Sequence, residues 1–244
     1  FYVLANAFMD IPDGWYSKKV FNLDAVVQGY GGRFPNWEEI VREARRTPGV
    51  TSATPLIEQP LMASYSGRVE GILVRGMRVE DIRSNPTFTK NLVAGSIREV
   101  TPGSGNIAIG ARLAESLGVQ PGGSISLISP EGQSTPFGTV PRILSYRVAA
   151  VFEIGIYDYD KAFVVMPIQD AQTLLLLGDS VGMVELETKD ADKVGEILAP
   201  LAPKIVNKAV ISDWRTMNAS LFEALAVDRV VSFVVLSIII LVAA

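Results

Sequence analysis

Alternation and a 3.6-residue periodicity divide the chain into short elements. Leu23 to Gln28 (LDAVVQ) alternates as a strand and is closed by Gly29, Gly31 and Gly32. Trp37, Ile40, Val41 and Ala44 then recur at i, i+3, i+4 and i+7, which predicts a helix with one apolar face. Asn36 stands at its N-cap with Glu39 three residues on, and Thr47-Pro48-Gly49 ends it. Val50 to Ser66 is extended but interrupted by Pro55 and Pro60, so an edge or bent strand is expected; Val69 to Arg75 is another strand. This strand–helix–strand–strand run is a split β-α-β piece. A similar run comes late: a strand over Val181 to Glu187, a helix capped by Asp190 with the face Val194, Ile197, Leu198 and Leu201, and a strand over Lys204 to Val210. The two halves are of a size to share one ferredoxin-like sheet, although their sequences are too dissimilar for a repeat.

The middle of the chain has a different texture. Ile107 to Ile109 reads as a short strand, Ala111 to Leu117 as a helix stopped by Gly118, and Ser124 to Ile128 as a strand after the turn Pro121-Gly122-Gly123. Ser145 to Glu153 and Lys161 to Met166 read as strands joined by an acidic turn, Tyr157-Asp158-Tyr159-Asp160, and Ile168 to Leu177 as a helix ended by Gly178. A mostly β subdomain inserted between the two halves is therefore expected, an arrangement that brings the chain ends together. The segment Ser129 to Arg142 is longer than an ordinary hairpin loop. Three prolines stiffen it, and Phe137 near its tip needs something to dock on, either a partner or its own sheet.

The last fifteen residues, Val230 to Ala244, carry no charge and are apolar on every face. As a helix they extend about 22 Å, part of a hydrocarbon core of roughly 30 Å. They are expected to begin a transmembrane helix, with a buried core helix as the competing reading. Phe1 to Met9 is also uncharged and fits the tail of a preceding membrane helix or an ordinary helix end.

Composition narrows the chemistry. The chain is 48% hydrophobic and 20% charged, enough to bury a core, and its net charge of −4 with no basic block argues against a nucleic-acid partner. Neither cysteine nor histidine occurs, which removes disulfides, thiolate metal sites and the Ser-His-Asp and Cys-His arrangements. No GxxxxGK[ST] loop or GxGxxG fingerprint is present, so nucleotide binding by this chain is unsupported. No cofactor, metal site or catalytic residue is expected. The closest approach to an enzyme signature, Glu153 with Asp158 and Asp160, reads first as a solvated acidic turn.

Three segments carry a family resemblance: STPFGTVPR at 134–142, SYRVAAVFEIGIYDYDKAFVVMP at 145–167, and ISDWRTMNASLFEALAVDRVVSFVVLSIIILVAA at 211–244. With VVQGYGGRFPNWEEI at 26–40, they resemble the LolC/LolE-type permease of the bacterial lipoprotein-releasing ABC transporter. The resemblance implies an α+β fold: a MacB-like periplasmic domain, with a ferredoxin-like porter subdomain and an inserted β-rich subdomain, flanked by transmembrane helix ends. The expected divisions are the end of a first membrane helix and connector at 1–19, the porter at 20–85 and 181–213, the insert at 86–180 with a long hairpin at 129–144, and a coupling segment and second membrane helix at 214–244.

The function implied is release of mature lipoproteins from the inner membrane and their transfer to the soluble periplasmic chaperone LolA. The implied partners are a cytoplasmic LolD-like ATPase, a second permease copy or paralogue, the lipoprotein substrate and membrane lipids. The hairpin would recruit the chaperone through Pro136, Phe137, Gly138 and Pro141, with Arg142 as a basic contact. Trp214, Phe222 and Leu225 would couple the domain to the membrane helix, and Leu56, Ile57, Leu61 and Met62 would line a dry surface for acyl chains, with ordinary sheet core as the competing role. The chain departs from the family pattern near its start, where Ala5-Asn6-Ala7-Phe8 is followed by a Pro12- and Gly14-bearing stretch that breaks a continuous helix. The alternatives are a permease of the MacB or FtsX kind acting on another substrate or signalling to a periplasmic partner, an envelope enzyme, and a structural anchor.

Overall fold

The computed structural model describes residues 24–30, 33–135, 138–205, 207–213 and 216, with the side chains of 131–139 outside the description. Ten strands form one continuous hydrogen-bonded network. Its elements in chain order are β1 (Ala25–Gly29), α1 (Trp37–Arg46), β2 (Val50–Tyr65), β3 (Arg68–Met77), α2 (Val79–Ser84), α3 (Pro86–Thr89), β4 (Leu92–Gly95), β5 (Asn106–Gly110), α4 (Ala111–Leu117), β6 (Ser124–Thr135), β7 (Gly138–Phe152), α5 (Tyr157–Ala162), β8 (Phe163–Pro167), α6 (Ile168–Leu175), β9 (Met183–Thr188), α7 (Val194–Leu198), α8 (Ala202–Ile205) and β10 (Ala209–Asp213).

One end of the network has the order β10-β1-β9-β2 with every neighbour antiparallel. This is the split β-α-β order expected of a ferredoxin-like unit. Helix α1 forms over the predicted span and buries Ile40, Val41 and Ala44 against this sheet, together with Val194, Leu198, Leu201 and Ile205. Its first turn departs from the capping-box expectation. Asn36 is left-handed (φ 61°) and makes no side-chain cap; its carbonyl accepts the Glu39 N–H instead, at 3.1 Å. Asp190 does cap, but its carboxylate receives the N–H of Asp192 and starts a 3-10 turn at Ala191–Lys193 before α7.

The rest of the network closes on itself. β2 pairs with β3, β3 with β8, β8 with β5, β5 with β7, β7 with β6, and β6 returns to β2 through Met62–Ser64. The resulting small barrel is filled by Leu61, Ala63, Ile72, Val74, Ile109, Ile125, Leu127 and Val148, all in one cluster, and α6 packs beside it through Ala171 and Leu174. A second cluster lies on its outer wall, where Ile82, Phe88, Ile97 and Val100 cover Leu56, Met77, Phe152 and Phe163. Because β2 and β3 are part of the barrel, a boundary at residue 85 separates strands that are hydrogen-bonded to one another.

The two prolines do not interrupt β2, which runs unbroken through the interior of the network rather than along an edge. The Leu56 carbonyl accepts from Gly182 N–H at 3.1 Å, so even-numbered residues turn their backbone groups toward the β9 side. Pro60 therefore points its missing donor into the gap between Leu56, the last partner of β9, and Met62, the first partner of β6. Pro55 faces the opposite side, one residue before the β3 ladder begins at Leu56. Both sit where the ladder needs no N–H.

Three further expectations are corrected. The acidic segment at 157–160 is the first turn of α5, because the Asp160 carboxylate accepts Ile154 N–H (2.6 Å) and Gly155 N–H (3.0 Å) and so holds the preceding loop closed. The strand expected over Lys204 to Val210 starts at Ala209; α8 occupies Ala202–Ile205 and buries Ile205 beside Leu201. The segment 129–142, a long connection by its residue pattern and part of a hairpin by the resemblance, is paired over 129–135 and 138–142 as the outer half of a long antiparallel ribbon. The apolar run at 230–244, the start of the chain and the coupling residues Trp214, Phe222 and Leu225 lie outside the described residues. Among the described residues no helix is long and apolar enough to cross a membrane.

Candidate functional site: the ribbon and its root

The ribbon is built by strands that start in the barrel and leave it. Leu127 and Leu144 face each other at its base, Ile128 faces Ile143, and Ser129 faces Arg142. The register then shifts between Ser129 and Gln133 and resumes as Gln133↔Val140, Ser134↔Thr139 and Thr135↔Gly138. The shift absorbs Pro130 and Gly132 as extra residues in one strand, where a bulge removes the demand for regular pairing. Val140 is 56% exposed and Ile143 58% exposed, and Pro141 is also exposed. Pro136 and Phe137, the tip between the strands, lie outside the described residues, as does the side-chain environment of Gly138.

Arg142 is placed at the root rather than the tip. Its side chain is partly buried, and its Nε has no hydrogen-bond partner among the described residues. Beyond Leu144 on the same face is Tyr146, whose hydroxyl is pushed up to about 12 by burial, then by the negative charge of Asp170, with Arg142 opposing. The Tyr146 hydroxyl reaches the Asp170 carbonyl at 3.5 Å. Asp170, in the first turn of α6, accepts Gly103 N–H at 2.9 Å through Oδ1, while Oδ2 is buried without a partner among the described residues. Burial raises the Asp170 carboxyl above the ordinary range, and the Gly103 bond pulls the other way. The root is thus a polar seam that ties β7 to α6 and to the 101–105 loop.

The four proposed acyl-facing residues separate by strand geometry. Ile57 and Leu61 point into the barrel side and Leu56 into the outer-wall cluster, all buried; only Met62 opens to solvent, at 44%. The first three are core, so a surface made of all four does not exist here. The acidic trio of an enzyme reading also separates: Asp160 is a buried capping carboxylate, while Glu153 and Asp158 are exposed. No group of three or more carboxylates suited to a metal occurs among the described residues.

Sequence reading missed a buried cation. Arg75 on β3 is inaccessible and joins Glu58 on β2 (3.3 Å) to Glu185 on β9, with its guanidinium carbon 5.7 Å from the Phe163 ring centroid on β8. The signal was an arginine inside an otherwise apolar strand, GILVRGM. This tie spans the barrel and the ferredoxin-like sheet.

The closed barrel, the split sheet and the projecting ribbon make one α+β architecture, and comparison with known proteins gives its family. The chain belongs to the MacB-like periplasmic core domain family, which matches residues 11–203. It is 30% identical over 210 residues to the lipoprotein-releasing system transmembrane protein LolC of Neisseria meningitidis, covering 86% of this chain and 51% of that protein. The LolC of Xylella fastidiosa (strain Temecula1) is 31% identical over 216 residues, 88% of this chain and 52% of its own. The chain thus spans about half the length of these curated relatives. Among solved structures, the extracellular domain of the transporter YknZ from Gram-positive bacteria shares the fold, with a TM-score of 0.52 at 13% identity, over 78% of this chain and 98% of that one. The resemblance to LolC-type permeases and the α+β, MacB-like fold stand.

Proposed function

We propose that this chain is the periplasmic portion of an inner-membrane permease subunit that releases lipoproteins and passes them to a soluble chaperone of the LolA kind. The observation that carries this reading is the likeness to LolC along nearly the whole chain. The β6–β7 ribbon is a suitable arm for docking: it stands clear of the barrel, exposes Val140, Pro141 and Ile143, and ends at Pro136-Phe137. An aromatic anchor at the end of a paired ribbon supplies a large apolar contact at little entropic cost. Gly138 opens β7 at the tip, and Arg142, being at the root, meets a partner only if the partner engages the whole arm.

The subunit itself is non-catalytic. ATP hydrolysis belongs to a separate LolD-like subunit on the cytoplasmic side, and a second permease copy or paralogue completes the assembly. Trp214, Phe222 and Leu225 would link β10 to the membrane helix. The test is capture of the chaperone by the full-length permease. Phe137→Glu should abolish capture and Phe137→Ala should weaken it, with the circular dichroism of the protein unchanged. Capture at the wild-type level by Phe137→Glu would refute the docking role.

A further inference from the structure

The ferredoxin-like sheet and the barrel share one strand, β2, and the join between them is narrow. On one side β2 pairs with β9 as far as Leu56 and with β6 from Met62 onward. Between these points, residues 57–61 pair only with β3 among the described residues. A two-stranded ladder therefore carries the chain from one body to the other. Such a ladder is the most easily twisted form of sheet. The angle between neighbouring strands varies over about 25° among proteins, and more where there are only two. The backbone leaves the angle between the two bodies loosely defined, so side chains have to set it.

The two faces of the join act differently. On one, α6 lies directly against β3: a Cβ at Gly76 would collide with the Ala171 Cβ and stand 3.3 Å from that of Ile57. This contact is apolar, and it holds the bodies together without choosing a direction. On the other face stands Arg75, directly opposite Glu58 in the ladder. Its guanidinium meets Glu58 inside the join and Glu185 on β9 beyond it. Glu185 is opposite Thr54, in the part of β2 that belongs to the ferredoxin-like sheet. The Phe163 ring of β8, 5.7 Å from the guanidinium carbon, bounds the group on the barrel side. One planar fork thus touches both bodies, and its contacts are satisfied over a narrow range of orientations. A change of angle that parted Arg75 from Glu185 would leave two buried charges unpaired, which opposes the change.

We propose that Arg75 is a positioning residue that selects one angle between the ferredoxin-like sheet and the barrel, and so one direction for the β6–β7 ribbon relative to β1 and β10. Stability and choice of angle are separable, because apolar side chains of similar volume replace a buried ion pair with little loss of stability but supply no direction. The test is a distance measurement in the full-length permease, with labelled protein diluted by unlabelled. Spin labels are attached at Arg42→Cys on α1 and Val140→Cys on the ribbon, both exposed positions in a chain with no cysteine of its own. Pulsed electron resonance should give one narrow distance distribution when Arg75 is present. Arg75→Met/Glu185→Leu should broaden it roughly twofold or more while the urea midpoint stays near its original value. Arg75→Lys keeps the charge, loses the fork and should broaden it too; should the double variant not fold, this variant alone decides. A broad distribution with Arg75 in place, or an unbroadened one in either folded variant, would overturn the proposal.

Discussion

Replacing Arg75 with methionine tests whether the barrel and the ferredoxin-like sheet are held by charge or only by packing. The guanidinium is almost wholly buried (3% exposed), Glu185 is 14% exposed and Glu58 is 30% exposed. Glu58 keeps contact with water, so Arg75→Met strands chiefly Glu185. Burial already raises the Glu185 carboxyl, Arg75 is the main influence lowering it, and Glu58 adds to the rise. Removing one partner of a buried pair costs about 3–5 kcal/mol, a large share of a total stability of about 5–15 kcal/mol. With a slope near 2 kcal/mol/M, the urea midpoint should fall by roughly 2 M.

The double variant Arg75→Met/Glu185→Leu removes both charges and should return to within about 1 kcal/mol of the wild type. The two substitutions should couple by about 2 kcal/mol or more. The pH dependence has a defined sign. A carboxyl with a raised folded-state pKa takes up a proton more readily in the native protein, so its relative stability is present at low pH and lost as pH rises through that pKa. The deficit of Arg75→Met should therefore be greatest at neutral pH and shrink on acidification. Urea unfolding followed by far-ultraviolet circular dichroism measures all three. A single-variant loss under about 1 kcal/mol, or a double variant that loses the sum of the singles, would refute the reasoning.

Two further outcomes are expected. Asp170→Asn keeps an oxygen for Gly103 N–H but removes a buried charge whose pKa is raised, so it should stabilise the protein at neutral pH and converge with the wild type below the ordinary carboxylate range; parallel denaturation curves at acid and neutral pH decide this. Gly110→Ala should destabilise by about 3 kcal/mol, because a Cβ there would lie 2.2 Å from the Asp160 carbonyl oxygen and backbone cannot yield as a side chain does, and a thermal melt with a normal midpoint would contradict it.

Helices α1 and α4 were legible because their apolar spacing agrees with where they bury, and Gly118 marks its end as expected. The ladder of β2 was half legible. Its composition declared an extended chain, but whether two prolines break a strand depends on which side each lacks a neighbour, and that is fixed by β6 and β9 from distant sequence. Helix α5 was hidden because Asp158 and Asp160 look like turn residues until the Asp160 carboxylate is seen closing the loop before it. The ribbon read as a loop for a related reason. Beyond Ser129 its strands pair only with each other, its sequence there shows no apolar alternation, and the register shifts between Ser129 and Gln133. Among site residues, alternation along β2 could have sent Ile57 and Leu61 inward and Met62 outward. Leu56 could not be placed that way, because its cover comes from Ile82 and Phe88, far along the chain.

The ribbon strands are the barrel strands prolonged, with no linker between them. From Ile143 to Gly138, on the strand without the extra residues, the arm extends about 17 Å at the usual rise per residue. Its end therefore inherits any turn of its base as a lever does: a tilt of about 10° sweeps it by roughly 3 Å, enough to bring a side chain into or out of contact. A small rotation of the barrel is thereby magnified at the outer end of the paired strands.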